Sequence, residues 1–416
     1  MEFVPDSGSA VQGSNACCGV ISVATKSDVG FPETCTIRSV KTPPRSAAMN
    51  TIMNVIPQDG TNYRLQFADR FHCMTMILSN AIYRSVGNLL SPQGSRARLS
   101  ILIYHRILAE EDPLLPGEPS IARFDRQMEF LTQVFRVLPL AEAVQRLRTD
   151  SLPARAASIT FDDGYADNSL HALPILRKYR VSATFFIATA YLDGGRMFND
   201  TVIESIRRAE SEHIDLTPLG LGEHDLSTPE AKACAIARIL PRVKYLSLEK
   251  REETVAKLAE RITRAELPRD LMLTTSQLLE LQEAGMDIGG HTHRHPILAG
   301  LDATTVRAEI AEGKDWLEGI LGRKVRMFAY PNGKVGVDYR PEQAALVREV
   351  GYEAAVSTHI GVATAQCDPY QLPRFTPWSP RAARFVPAML HNLLRVADQA
   401  TLTPTPPTPA GAPETP

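Results

Sequence analysis

Ser158-Ile-Thr-Phe-Asp-Asp-Gly-Tyr-Ala-Asp-Asn168 is a short apolar run that ends in two adjacent carboxylates and a glycine. Ile159 and Phe161 are strand formers, and a sharp turn is unstrained at Gly164. The stretch therefore reads as a buried strand delivering Asp162 and Asp163 into a loop at its C-terminal end. In α/β proteins that end of a strand is where chemistry is usually built. Neighbouring residues of an extended backbone point to opposite sides, so Asp162 and Asp163 do not flank one bond as a glycosidase pair does. The expectation is two different jobs, one carboxylate binding a metal and the other moving a proton. For the Asp-Asp-Gly tripeptide alone, a solvated turn is the ordinary alternative.

Gly289-Gly-His-Thr-His-Arg-His-Pro296 shifts that balance. His291 and His295 come to one side if the segment makes a single helical turn, and Pro296 biases its neighbour away from continuing a helix. Two neutral imidazoles and one carboxylate form a three-ligand set with open positions, as in hydrolytic zinc sites. His291 with His293 is the competing pair, on one face if the stretch stays extended.

Outward from these motifs, apolar runs and helical periodicities alternate. Leu99-Ser-Ile-Leu-Ile-Tyr104 reads as a first strand with His105 at its C-terminal end, followed by helical spacing over 124–131 and 140–147. Ala183-Thr-Phe-Phe-Ile187, Met286-Asp-Ile288, Arg326-Met-Phe-Ala-Tyr330 and Ala354-Ala-Val-Ser357 read as further strands. Such alternation predicts an α/β fold with a mainly parallel sheet. Between the two motifs, 195–270 reads as a helical insertion, with Ser227-Thr-Pro-Glu230 at capping-box spacing, and its position lets it wall one side of a groove. Leu78, Ile82, Val86 and Leu89, with Arg84 nearby, predict an amphipathic helix packed on the barrel.

Residues 1–75 hold Cys17, Cys18, Cys35 and Cys73 without sustained periodicity, and read as disordered or as lying ahead of a true start at Met74 or Met76. The cysteine spacing does not fit a zinc knuckle. A Pro/Thr-rich tail over 396–416 has nothing to bury. With 45 basic and 47 acidic side chains the net charge is −2, which provides no basic field for nucleic acid. No apolar stretch is long enough to span a bilayer and no positive start of a secretory signal precedes Lys26. The expected location is the cytoplasm or a membrane periphery.

Thr160-Phe-Asp-Asp-Gly164, Gly290-His-Thr-His-Arg-His-Pro296 and Phe328-Ala-Tyr-Pro-Asn-Gly333 resemble, in order, the successive motifs of the polysaccharide deacetylases, carbohydrate esterase family 4, which share the NodB homology domain. The resemblance implies a distorted (β/α) barrel over 76–395, carrying the insertion, that removes N- or O-acetyl groups from an acetylated glycan. It makes Asp162 the base and assigns Asp163, His291 and His295 to a divalent metal, Zn2+ first. A backbone N–H at Asn332 corresponds to the family's oxyanion donor. Ala329, Tyr330 and Asn332 depart from the commoner Arg-Pro-Pro-Tyr-Gly form, which leaves the substrate contacts made there open. Arg374, in Leu372-Pro-Arg374, is placed beside Asp162, orienting it and keeping it ionised. For the general acid, His105 is favoured by position; His391, in Met389-Leu-His391, matches a late family motif loosely and reads as a packing residue. A metal amidohydrolase acting on a small amide, and a sugar-binding protein without catalysis, are the other readings.

Overall fold

The apolar runs at 99–104, 156–161 and 183–187 are buried along their whole length, so the architecture has to cover both faces of each strand. In the computed structural model, which describes residues 79–376 and 384–396, the runs become β1 (Leu99–Tyr104), β2 (Arg136–Val137), β3 (Ala156–Phe161), β4 (Ala183–Ile187), β5 (His213–Asp215), β6 (Glu223–Asp225), β7 (Asp287–Gly290), β8 (Met327–Ala329), β9 (Ala354–Ile360) and β10 (Leu372–Arg374). Seven strands pair in the order β1-β3-β4-β7-β8-β9-β10, all in parallel, and β2 pairs with β3. Phe375, the residue after β10, closes the ring. Its N–H donates to the Ile101 carbonyl at 2.7 Å, and its carbonyl accepts from the Ile103 N–H at 3.1 Å. The fold is a nearly closed, distorted (β/α) barrel, as the alternation and the family resemblance predict. The readings of 1–75 and of the tail beyond Val396 lie outside the described residues.

Around the barrel run α1 (79–90), α2 (Ile121–Val134), α3 (Leu140–Arg148), α4 (Leu173–Tyr179), α5 (Phe198–Arg207), α6 (Pro229–Lys244), α7 (Leu248–Ile262), α8 (Thr275–Glu283), α9 (Ala303–Leu321), α10 (Pro341–Glu349) and α11 (Phe385–Asn392). Leu99, Ile101, Ala156, Phe186, Met327, Ala329, Val356 and Leu372 pack together as an inner layer with α3. Their strand neighbours Leu102, Ile159, Phe161, Phe185 and Phe328 join the larger core beneath the helices. This two-residue period gives each strand one face per layer. Asp162 continues the Ala156 alternation and Arg374 that of Leu372, so both charges reach the inner side at the strands' C-terminal ends.

Over 195–270 the chain builds a unit with its own core, in which Val202 and Ile206 of α5, Ile239 and Val243 of α6, and Leu258 and Ile262 of α7 meet. Two expectations need correcting here. An antiparallel hairpin, β5 with β6, interrupts the helices, and α6 is capped by Thr228 rather than Ser227: its hydroxyl accepts from the Ala231 N–H at 3.1 Å. Thr228 takes the extended cap conformation and leaves Pro229 at the first helical position, where its missing N–H costs nothing. The α1 reading is corrected too. Ile82, Val86 and Leu89 face outward at 55, 39 and 82% exposure, whereas Tyr83 and Leu90 pack on the core.

At Gly313, α9 presses against the histidine loop, where a Cβ would lie 2.8 Å from the Thr292 carbonyl oxygen and 3.2 Å from the His293 nitrogen. Both neighbours are backbone, so neither can rotate away. Gly313→Ala is therefore expected to destabilise the fold by about 1–3 kcal/mol, read as a drop of several degrees in thermal denaturation.

Candidate active site

The β3 alternation that buries Ser158 and Thr160 carries Asp162 to 2% exposure. A carboxylate there needs compensation, and Arg374, itself 1% exposed, supplies it. The guanidinium donates from both Nη atoms to the two Asp162 oxygens at 2.7 Å each, from Nε to the Ser357 carbonyl at 2.8 Å, and from Nη1 to Thr160 Oγ1 at 3.2 Å. Burial by itself raises the Asp162 pKa. Arg374, aided by His291, outweighs that and holds it below the ordinary carboxylate value.

Asp163 leaves the strand alternation, its backbone left-handed at φ +77° and followed by Gly164 at +87°. Its Oδ1 lies 3.3 Å from His291 Nε2 and 3.4 Å from His295 Nε2. The ligand atoms of the three residues all lie within 4.8 Å of one another. The histidine loop is not a helical turn, as spacing alone suggested. Thr292 and His295 are left-handed, at φ +64° and +52°, and Thr292 Oγ1 accepts from the His295 N–H at 3.1 Å. His293 points elsewhere, its Nδ1 2.8 Å from Thr189 Oγ1. Glu309 of α9 fixes the loop from outside, its carboxylate accepting from the Arg294 N–H and Nε at 2.8 and 2.7 Å.

Does this trio suit a cation? His291 Nδ1 lies 2.7 Å from the Ala329 carbonyl, an acceptor only, so this nitrogen carries a proton and Nε2, the atom that faces Asp163, is the one left to bind a cation. Burial lowers the His295 pKa to about 3, leaving that ring neutral. The donor set of two imidazoles and a carboxylate, converging on one point, is one that divalent metals accept.

All three residues and Asp162 open into a cleft of about 740 Å³. His105, one residue past β1, lines it. Burial lowers the His105 pKa, but Asp163, Glu118 and Asp162 together outweigh that and raise it. Asn332, at φ +59°, lines the cleft as well, its buried Nδ2 lacking a partner among the described residues. His391 does not reach the cleft; it is exposed at the end of α11, so neither the motif match nor the packing reading describes it.

The comparisons with known proteins follow this geometry. The family model described as "Polysaccharide deacetylase" matches residues 149–234 and 241–355, a span containing Asp162, Asp163, His291, His295 and Asn332. The chain carries a polysaccharide deacetylase domain. That domain makes it a hydrolase that deacetylates a glycan, of a family generally dependent on divalent metals. The chain is 24% identical over 280 residues to YxkH of Bacillus subtilis (strain 168), whose name assigns it to the polysaccharide deacetylases; 67% of this chain and 71% of that one are covered. Among solved structures it resembles the Streptococcus pyogenes deacetylase PplD in complex with acetate (20% identity, TM-score 0.47, 74% of this chain and 99% of that one). It also resembles IcaB from Ammonifex degensii (20%, 0.44, 72% and 98%). No helix among the described residues is long and apolar enough to cross a membrane.

Sequence reading missed the far wall of this deacetylase's cleft, where α5 presents Phe198, Asn199, Asp200 and Ile203. Acidic residues are common in the first turn of a helix, so Asp200 carries no signal in the sequence alone. Burial raises its pKa to about 7; Arg106 opposes the rise, and Asp163 adds to it. A carboxyl whose folded pKa exceeds its unfolded value takes up a proton on folding. Stability therefore falls as pH rises from about 4 to about 7, and the full penalty applies above that. Asp200→Asn removes the penalty. The variant should gain on the order of 2–4 kcal/mol over the parent at pH 8 and little at pH 4.5, checked by denaturation at the two pH values.

Proposed function

We propose that the protein is a zinc-dependent deacetylase that removes N-acetyl groups, in preference to O-acetyl groups, from an exopolysaccharide or cell-surface glycan. The observation that carries this reading is the convergence, in one cleft, of Asp163 Oδ1 with two imidazole Nε2 atoms beside the Arg374-anchored Asp162. When bound by Asp163, His291 and His295, a divalent ion supplies polarisation of the acetyl carbonyl and a lowered pKa for water. Asp162 is the general base. Arg374 occupies both of its oxygens and so fixes its orientation and keeps it ionised until it takes the proton of the attacking water. At Asn332 the backbone N–H serves as oxyanion donor. His105 gives a proton to the departing amine, and this favours the amide over the ester: an amine leaves only when protonated, whereas an alkoxide leaves more readily.

A base buried at this cost has no use in a protein that only binds sugar, and a cleft walled by a separate helical unit suits a chain of sugars better than a small amide.

Purified protein is expected to carry about one zinc or similar divalent ion per chain, and elemental analysis with chelation tests this. His291→Ala and His295→Ala should lose the ion. His293→Ala should keep it, since Thr189 holds that ring away from Asp163. Asp162→Asn should retain metal and substrate binding while turnover falls by roughly two to four orders of magnitude; Asp163→Asn should lose activity in step with metal occupancy. Full turnover by Asp162→Asn would remove the mechanism.

A further inference from the structure

The cleft has a second set of polar groups, on the side contributed by α5. Asp200 is 2% exposed, yet no cation among the described residues forms an ion pair with it. Its hydrogen bonds come from the Tyr165 hydroxyl, 3.1 and 3.2 Å from its two oxygens. That hydroxyl accepts in turn from Asn199 Nδ2 at 3.1 Å, while the buried Asn199 Oδ1 has no partner among the described residues. Arg106, whose charge acts on Asp200, stacks on the Tyr165 ring at 4.7 Å and donates to Asp167 at 2.8 Å. Asp200 and Asn199 thus keep unused acceptor lone pairs in a cavity, and one of the two Asn199 Nδ2 hydrogens is spent on Tyr165. Buried acceptors without donors cost stability, so a ligand that brings donors is what completes this wall.

Its position narrows the ligand further. Tyr165 lies two residues past Asp163 in the same loop, so the hydroxyl that holds Asp200 is fixed relative to the metal trio. Asp200 and Asn199 therefore line the same cleft as the trio and are tied to the loop that carries Asp163.

We propose that Asp200 and Asn199 form a subsite accepting hydrogen bonds from hydroxyls of the reacting sugar, chiefly the hydroxyl next to the acetamido carbon, so that the helical insertion selects the sugar. This rests on the deacetylase reading of the cleft and adds a specificity-determining pair to it. A site built to accept from a hydroxyl rejects the analogue lacking it, because the acceptors are then left buried and unpaired.

The test measures kcat/KM for acetate release from β-1,4- and β-1,6-linked N-acetylglucosamine tetramers, from their 3-deoxy analogues, and from p-nitrophenyl acetate, which has no sugar hydroxyl. The 3-hydroxyl is free in both linkages. The parent enzyme should lose about tenfold to hundredfold on the deoxy analogue of whichever tetramer it processes faster. In Asp200→Asn and in the half-buried Asn199→Ala that discrimination should shrink to about twofold, and the ratio of tetramer to p-nitrophenyl acetate activity should fall. The comparison of tetramer with deoxy tetramer uses the parent enzyme alone, so it holds even if Asp200→Asn does not fold. Equal parent activity on tetramer and deoxy tetramer, discrimination that survives both substitutions, or ester hydrolysis with neither tetramer processed would overturn the subsite. A parent enzyme that releases acetate from nothing would instead remove the deacetylase reading on which it rests.

Discussion

The contact between Arg374 and Asp162 joins the last strand of the barrel to its second. Arg374 closes β10, and the next residue, Phe375, makes the two hydrogen bonds that bring the last strand back to β1. Ring closure and the pairing of the buried carboxylate therefore happen over the same two residues. Losing one member of such a pair leaves the other charge buried and alone, at about 3–5 kcal/mol. Four of the five guanidinium N–H donors are spent, on Asp162, Thr160 and the Ser357 carbonyl. The side chain is held so fully that it has little freedom to act as anything other than a brace.

From that brace the division of labour between adjacent aspartates follows. Asp162 keeps the strand alternation and points inward to Arg374; Asp163 breaks into left-handed backbone and points to the imidazoles. The strain of a left-handed aspartate is modest, about 1 kcal/mol or somewhat more, and Gly164 continues the turn without any. Had Asp163 stayed extended, both carboxylates could not have served one cleft.

Much of this was legible in the residues. The alternation of strands and helices identifies the parallel α/β sheet, the Asp-Asp-Gly turn and the histidine-rich run mark where residues converge, and the family resemblance adds the barrel and the choice of His295 over His293. The conformation of the histidine loop was not legible, because spacing cannot separate a helical turn from a loop with left-handed residues at Thr292 and His295. Nor was the direction of α1: its stripe at Ile82, Val86 and Leu89 has the period of a buried face, and only tertiary packing reveals that Tyr83 and Leu90 are the residues covered. The hairpin of β5 and β6 was missed for a related reason, since strands of three residues are too short to establish a period.

The cleft draws its two walls from units that pack separately. The metal trio stands on strands and loops of the barrel, while Phe198, Asn199, Asp200 and Ile203 belong to a helical unit whose apolar side chains meet one another in a core of their own. Substitutions in one core leave the other intact, so the wall that touches sugar can drift, lengthen or be exchanged without unsettling the strands that bring the acetyl-cleaving groups together. Such an arrangement lets a lineage change its substrate in small steps while its chemistry stays constant.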